Sequence, residues 1–401
     1  MSIIGIVCEY NPFHTGHLLH IKETRRALGD DSTVVCVMSG DYVQRGEPAL
    51  YSKFARAKAA CLCGADLVVE LPLPWALASA EGFALGAVSI LSALGAQYIS
   101  FGSEEGAVEP LEEIAKVLLD EAVISEIKEL MAAKSNTSFA SARQCVLERR
   151  MGEKAAAIEK PNNILGIEYI KAIYSLGASI KPFTIKRIGS EHDGEGSDEV
   201  KSASELRKMI RQGEDAGRFI PPQALSVYKN EHEAGKVIDE ELFEIALLSR
   251  LRALSREDYG ILPDAADGLG NKLWKAAHTE ASLDEILTSV KSRRYALSRI
   301  RRMCVCAALG INAQMAKKLP GYGRILASNE KGFALLRQME QKEDFSVITK
   351  PASANNLSFT ERLVFELGAA AHDLYSLAYP SKSQRICGTD WKTSPFIVKN
   401  D

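Results

Sequence analysis

The sequence lacks the short signatures of the commonest catalytic classes. It has no GxSxG, no HExxH, no P-loop glycine-lysine run and no GxGxxG. That excludes the serine-hydrolase elbow, the zincin helix, the ordinary kinase loop and the dinucleotide fingerprint. Its eight cysteines, at 8, 36, 61, 63, 145, 304, 306 and 387, form no CxxC pair, so no zinc or thioredoxin-like site is expected and the thiols read as reduced. Neither sign of charge dominates: 49 Lys and Arg face 52 Asp and Glu, a net charge of -3. This excludes a uniformly basic nucleic-acid coat but leaves room for one basic face. A membrane segment is also missing. The longest uncharged run, 82–103, carries Ser89, Ser92, Gln97, Ser100 and several glycines, and reads as helix, turn and strand. The opening MSIIGIVCEYNPFH has no positive n-region or cleavage site, so no signal peptide and a cytoplasmic location are expected.

What the chain does have is length and apolar material. Its 401 residues, 46% hydrophobic and 25% charged, suit two globular domains. Over the first two hundred residues, short β-branched runs at 3–8, 33–38, 66–71, 97–101 and 180–188 alternate with helical stretches. This pattern predicts an α/β, doubly wound, mainly parallel sheet with its ligand beyond the carboxyl ends of the strands. After about residue 205 the strand pattern stops, predicting an all-α C-terminal domain. The expected division is an α/β domain over 1–212 and a helical domain over 213–401.

The sharpest feature is Asn11-Pro12-Phe13-His14-Thr15-Gly16-His17, directly after the first strand and opening the first helix. Two imidazoles three residues apart can face phosphates at a helix N-terminus, where unpaired backbone N–H groups favour anions. Nucleotidyl transfer needs no protein nucleophile, only positioning and charge stabilisation, so His14 and His17 are the candidate catalytic residues. A lone histidine there would read as a cap or core residue; the HxGH spacing after an N-terminal strand favours the site. His20 reads equally as ligand neighbour or solvated residue. In the loop after the second strand, Asp41, Gln44 and Arg45 are candidates for positioning a second substrate. Lys53 and Arg56 on the next helix read as a solvated face. Gly102 at the end of the fourth strand leaves room for an adenine, Asn162 opens a helix, and Lys186-Arg187-Ile188 closes the fifth strand. Ser202, Ser204 and Arg207 form a candidate phosphate clamp.

From 286 to 326 stand Lys291, Arg293, Arg294, Arg299, Arg301, Arg302, Lys317, Lys318 and Arg324, with no acidic residue between them. With Tyr295 and Tyr322 available for stacking, the tract reads as a nucleic-acid surface whose binding weakens with salt. Two rival readings stay open. A small-molecule adenylyl- or cytidylyltransferase would have no use for this tract, and a non-catalytic RNA-binding protein on the same scaffold would not bind ATP.

The segments IVCEYNPFHTGH, MSGDYVQRGEPAL, GADLVVELPLPWA, FGSE, KPNNILGIEYIKA, KRIG, SASELR, KSRRYALSRIRRM and YGRILASNEKGFALL, in this order, resemble the bacterial tRNA(Met) cytidine acetate ligase family. The resemblance runs from the first strand to beyond residue 330 and is weaker over 340–401. It implies a HIGH-type nucleotidyltransferase fold and an enzyme that activates acetate with ATP to acetyl-adenylate. That enzyme then acetylates N4 of the wobble cytidine, position 34, of elongator tRNA(Met), releasing AMP and pyrophosphate. It also implies an ATP site at Val7, Cys8, Glu9, Tyr10, Asn11, Pro12, Phe13, His14, Thr15, Gly16, His17, Leu18, Leu19 and His20, with Gly102, Asn162, Arg187 and Ile188. Thr15 stands where the family often has asparagine, and Cys8 where alanine is common. Mg2+ is expected only with the ATP phosphates, with no protein metal site and no tightly bound cofactor. The sequence does not set the oligomeric state.

Overall fold

The structure, a computed structural model, describes residues 2–133, 137–187, 201–339 and 344–399. One mixed sheet organises the chain. Its strands are β1 (Ile3–Cys8), β2 (Thr33–Ser39), β3 (Leu67–Leu71), β4 (Tyr98–Ser103), β5 (Lys181–Lys186), β6 (Tyr322–Ser328), β7 (Ser346–Ile348) and β8 (Phe396–Ile397). Their order is β5-β4-β1-β2-β3-β6-β7, with β8 also on β6. The first five strands pair in parallel, and β6 runs antiparallel to β3. β2, TVVCVMS, is buried at every position, as a central parallel strand covered on both faces must be. β5 tolerates Pro182 because it is an edge strand.

The chain moves from β1 through β2 to β3 on one side, then returns so that β4 lies on the other side of β1. That reversal opens a crevice beyond the carboxyl ends of β1 and β4, where doubly wound sheets bind ligands. One face of the sheet is covered by helices that include Ala80–Ala93 and Pro161–Leu176. Gly5 in β1 permits the first of these to approach, since a Cβ there would lie 2.5 Å from Leu91. The other face carries α1 (Thr15–Leu28), α2 (Lys53–Leu62) and the helix Pro222–Glu233. A third core, built by helices between residues 240 and 309 and by Phe359–Ser376, takes in Tyr42, Leu73 and Leu77 from the loops after β2 and β3. Among the described residues no helix is long and apolar enough to cross a membrane.

Residues 213–401 are mainly helical, as expected, with one departure: β6, β7 and β8 extend the N-terminal sheet. YGRILAS holds a single β-branched residue and a central arginine, so local propensity conceals the strand; pairing with the free edge of β3 decides it. The arginine also corrects an expectation. Arg324 is 4% exposed, too buried to meet tRNA. It pairs with Asp390 and lies 3.8 Å from Glu70, while Lys53 Nζ sits 2.8 Å from Glu70 and 2.6 Å from Asp390. Lys53 is therefore buried too, not solvated. Two cations and two carboxylates thus neutralise one another beneath Phe54 and Phe365, joining α2 and β3 to the last sixty residues.

Removing one member leaves an uncompensated buried charge. Arg324→Ala should lower stability by ~3–5 kcal/mol in urea unfolding. A loss below ~1 kcal/mol, the scale of an exposed pair, would contradict this placement.

Candidate active site

The turn after β1 is set by Tyr10, whose φ of +46° is left-handed, and by a cis Asn11–Pro12 bond. Asn11 Oδ1 accepts from the Leu50 N–H at 2.8 Å, and the Phe13 N–H donates to the Tyr228 hydroxyl at 2.9 Å. Tyr10 and Phe13 are buried and hold the His17 ring between them, at 4.8 and 5.6 Å between centroids. Behind this turn, Arg56 is fully buried and donates to the carbonyls of Glu9, Ser39, Gly40 and Tyr51. It fixes the loops after β1 and β2 to each other, a role its helical position did not suggest.

His14 is the N-cap of α1. The Gly16 N–H donates to His14 Nδ1 at 3.1 Å, and the His14 N–H donates to His17 Nδ1 at 3.2 Å. The His17 and Leu18 N–H groups donate to the His14 carbonyl. The expected free amides are therefore largely taken, and the helix end presents imidazoles instead. A ring whose Nδ1 accepts must, when neutral, carry its proton on Nε2. Burial, reinforced by Arg187, pushes His14 down to about 4. Burial first, then His14, Arg187 and His20, hold His17 well below the ordinary imidazole range. The two rings lie 3.8 Å apart, so the site offers two neighbouring neutral Nε2–H donors. Thr15 Oγ1 beside them is buried without a partner among the described residues.

The remaining positions of the implied ATP segment surround this pair. Glu9 Oε1 accepts from the Gln44 N–H at 2.7 Å, and burial raises its carboxyl. Cys8 packs its thiol 3.8 Å from the Val37 carbonyl, while Val7 and Leu18 are partly buried in the cores on opposite faces of the sheet. Leu19 is 39% exposed. His20 is neither solvated nor free: its Nε2 lies 2.9 Å from Ser100 Oγ, which fixes α1 to β4.

Across the crevice, Arg187 lies over Gly102, where a Cβ would meet its stem at 3.0 Å, and Arg187 Nη1 donates to Asn162 Oδ1 at 3.2 Å. The space expected for an adenine at Gly102 is thus occupied by the Arg187 stem. Asn162 sits in the first turn of Pro161–Leu176, where Glu104 accepts from the Asn162 and Asn163 N–H groups. Glu104 was visible in FGSE, but a capping carboxylate from another strand leaves no local signal. Ile188 lies outside the described residues.

Of the phosphate clamp, Arg207 reaches the site, donating to the Asn11 carbonyl at 2.9 Å and to Ser204 Oγ at 3.1 Å. Ser202 instead forms a capping box with Glu205. Gln44 and exposed Arg45 lie beside Glu9. Asp41 does not: it is 4% exposed, with Oδ1 taken by the Lys53 N–H at 2.7 Å and Oδ2 by His372 Nδ1 at 2.8 Å. Both oxygens are used in the fold, so it is not placed to position a substrate.

The basic tract is less bare than its sequence window. Arg294 pairs with Asp267, Arg299 and Arg302 with Asp264, and Arg301 with Glu47; acids distant in sequence supply the counterions. Arg302, Tyr295 and Tyr322 are buried, so the two tyrosines offer no stacking face. Lys291, Arg293, Lys317 and Lys318 are exposed.

The His14 assignment has a direct spectroscopic consequence. Its midpoint should lie near 4 rather than 6.5, with the proton on Nε2 at neutral pH. Between these values the unfolded chain binds the extra proton, so stability is lost as pH falls from 6.5 towards 4. Long-range 1H–15N imidazole spectra through a pH titration check both points. A midpoint near 6.5, or an Nδ1–H tautomer, would contradict this capping arrangement.

Comparison with known proteins bears on the chain as a whole. The sequence model of the family described as HIGH Nucleotidyl Transferase matches residues 1–390. The tRNA(Met) cytidine acetate ligase of Thermoanaerobacter sp. (strain X514) is 39% identical over 404 residues, 98% of each chain. That of Acetivibrio thermocellus is 35% identical over 419 residues, 99% of this chain and 100% of its own. The crystal structure of Thermotoga maritima TmcAL bound with alpha-thio ATP matches with a TM-score of 0.91 at 31% identity, covering 100% of both chains. The chain belongs to the HIGH nucleotidyl transferase family and, within it, to the tRNA(Met) cytidine acetate ligases.

Proposed function

We propose that this protein activates acetate with ATP and transfers the acetyl group to N4 of the wobble cytidine of elongator tRNA(Met), releasing AMP and pyrophosphate. The observation that carries the reading is the pair of neutral imidazoles capping α1 at the switch-point crevice, in a chain 39% identical to a tRNA(Met) cytidine acetate ligase over 98% of its length. Acetate is inert toward an amine whose lone pair is delocalised into a cytosine ring, so it must first acquire a leaving group. An acetate oxygen attacks the α-phosphorus of ATP, the bond to the β-phosphate oxygen breaks, and pyrophosphate departs with the electron pair. N4 then attacks the acetyl carbon, AMP leaves, and N4 loses a proton.

In the first step negative charge builds on the α-phosphate oxygens. The Nε2–H groups of His14 and His17 are the donors for that charge; being neutral and fixed beforehand, they need no reorganisation as it develops. Thr15 Oγ1, otherwise unpaired, adds a third donor. Arg187 and Arg207 take the outer phosphates, with Asn162 orienting Arg187. Gln44 and Arg45 lie where acetate or the cytosine would enter. Mg2+ comes with ATP, held by its phosphate oxygens; among the described residues no three His, Cys, Asp or Glu side chains converge on a metal site. Residues 1–212 then supply the chemistry, and the basic face within 213–401 the grip on tRNA through Lys291 and Arg293, with Arg294, Arg299 and Arg301 exchanging their carboxylates for phosphates.

The test is incubation with ATP, labelled acetate and bacterial tRNA, followed by digestion; labelled N4-acetylcytidine that requires ATP is the expected product. Its absence, with ATP bound and no acetyl-adenylate formed, would overturn the reading. His14→Ala should slow adenylate formation by about 10²–10³-fold. Replacing Lys291 and Arg293 together by Ala should flatten the dependence of log affinity on log salt by about 1 per residue; an unchanged slope would remove both from the interface.

A further inference from the structure

Glu47 stands between the nucleotide site and the basic helix. Its Oε1 contacts Arg301 Nη1 of the helix Leu297–Leu309. Its Oε2 lies 3.9 Å from Arg207 Nη2 of the helix Ala203–Arg211. The side chains of Glu47, Arg301 and Arg207 are 33%, 26% and 17% exposed, so solvent and ligands reach all three. Exposed Arg45 adds another cation nearby. Two carboxylates, Glu47 and the partly buried Glu9, face the three guanidiniums, and of the two it is Glu47 that contacts Arg301, where an RNA phosphate would sit.

The backbone of the loop is pinned. Gly46, at φ +78°, packs so closely that a Cβ would lie 2.5 Å from the Arg302 nitrogen. The Val43 N–H donates to the Glu47 carbonyl at 2.9 Å, and the Gly46 N–H to the Val43 carbonyl at 2.8 Å. What can swing is the Glu47 side chain, and it can fully neutralise only one of its two arginines at a time.

Resting on the functional reading above, we infer that Glu47 is a positioning residue that makes polyphosphate on Arg207 and an RNA phosphate on Arg301 antagonists. While polyphosphate occupies Arg207, Glu47 stays on Arg301 and an RNA phosphate must displace it. Once pyrophosphate has left, Glu47 closes the gap to Arg207 and releases Arg301 to RNA. RNA therefore engages after adenylate formation. The change is also felt in the HxGH turn, because Arg207 holds the Asn11 carbonyl.

Simple repulsion between two bound anions would also make them antagonists, but would not need Glu47. The discriminating experiment measures binding of a labelled elongator tRNA(Met) anticodon stem-loop at fixed ionic strength, with and without saturating pyrophosphate. Parent protein, Glu47→Gln and Arg301→Gln are compared. In the parent, pyrophosphate should weaken RNA binding by ~5-fold or more. In Glu47→Gln the factor should fall to near one, with tighter RNA binding when pyrophosphate is absent. Arg301→Gln should also lose the factor but bind RNA more weakly, and its factor decides alone if Glu47→Gln does not fold. A parent factor of one, or the parent factor retained in either variant, overturns this inference while leaving the functional reading intact. A parent that binds neither RNA nor pyrophosphate overturns both.

Discussion

The cap of α1 is the interaction on which the crevice depends. A helix N-terminus concentrates partial positive charge on amides that have no partner within the helix. Here those amides are satisfied by a carbonyl and by an imidazole nitrogen, and the positive end is passed outward through the rings to their Nε2–H groups. Burial keeps the rings neutral, as the shifts of His14 and His17 express. A charged imidazolium could not accept from the backbone at Nδ1, so protonation would cost the cap and the donor arrangement together. Structural capping and the chemistry of the site are one set of hydrogen bonds.

That set is held in place by parts of the chain far apart in sequence. Tyr228, from beyond the expected boundary, anchors the Phe13 N–H, and Arg207 anchors the Asn11 carbonyl. Arg56 ties the first two strand ends together from beneath. Where β3 meets β6, the neutral quartet of Lys53, Glu70, Arg324 and Asp390 fastens the late strands to the sheet. The mainly helical second half therefore also anchors the turn after β1, through Tyr228.

Much of this was legible in the sequence where the signal is local. The five parallel strands follow from β-branched runs, and the HxGH turn, Gly102, Asn162 and Arg187 do gather at one sheet end. What escaped was set by partners distant along the chain. β6 has weak strand propensity and is formed by the edge of β3. Arg324 belongs to a positive window, yet its carboxylates come from residues 70 and 390. Asp41 looks like a loop ligand until His372, 331 residues later, claims it. Charge counted along a sequence says nothing of charge counted through space, and three arginines of the basic tract illustrate the difference: Arg294, Arg299 and Arg301 each face an acid from outside the tract.

The central claim is that the imidazole-capped crevice forms a mixed anhydride from acetate and ATP before RNA is engaged. The most direct measurement is exchange of labelled pyrophosphate into ATP by the protein without RNA, in the presence and absence of acetate. Exchange that requires acetate and does not require tRNA is the expected result. Exchange that appears only when tRNA is added, or that proceeds equally without acetate, would contradict it.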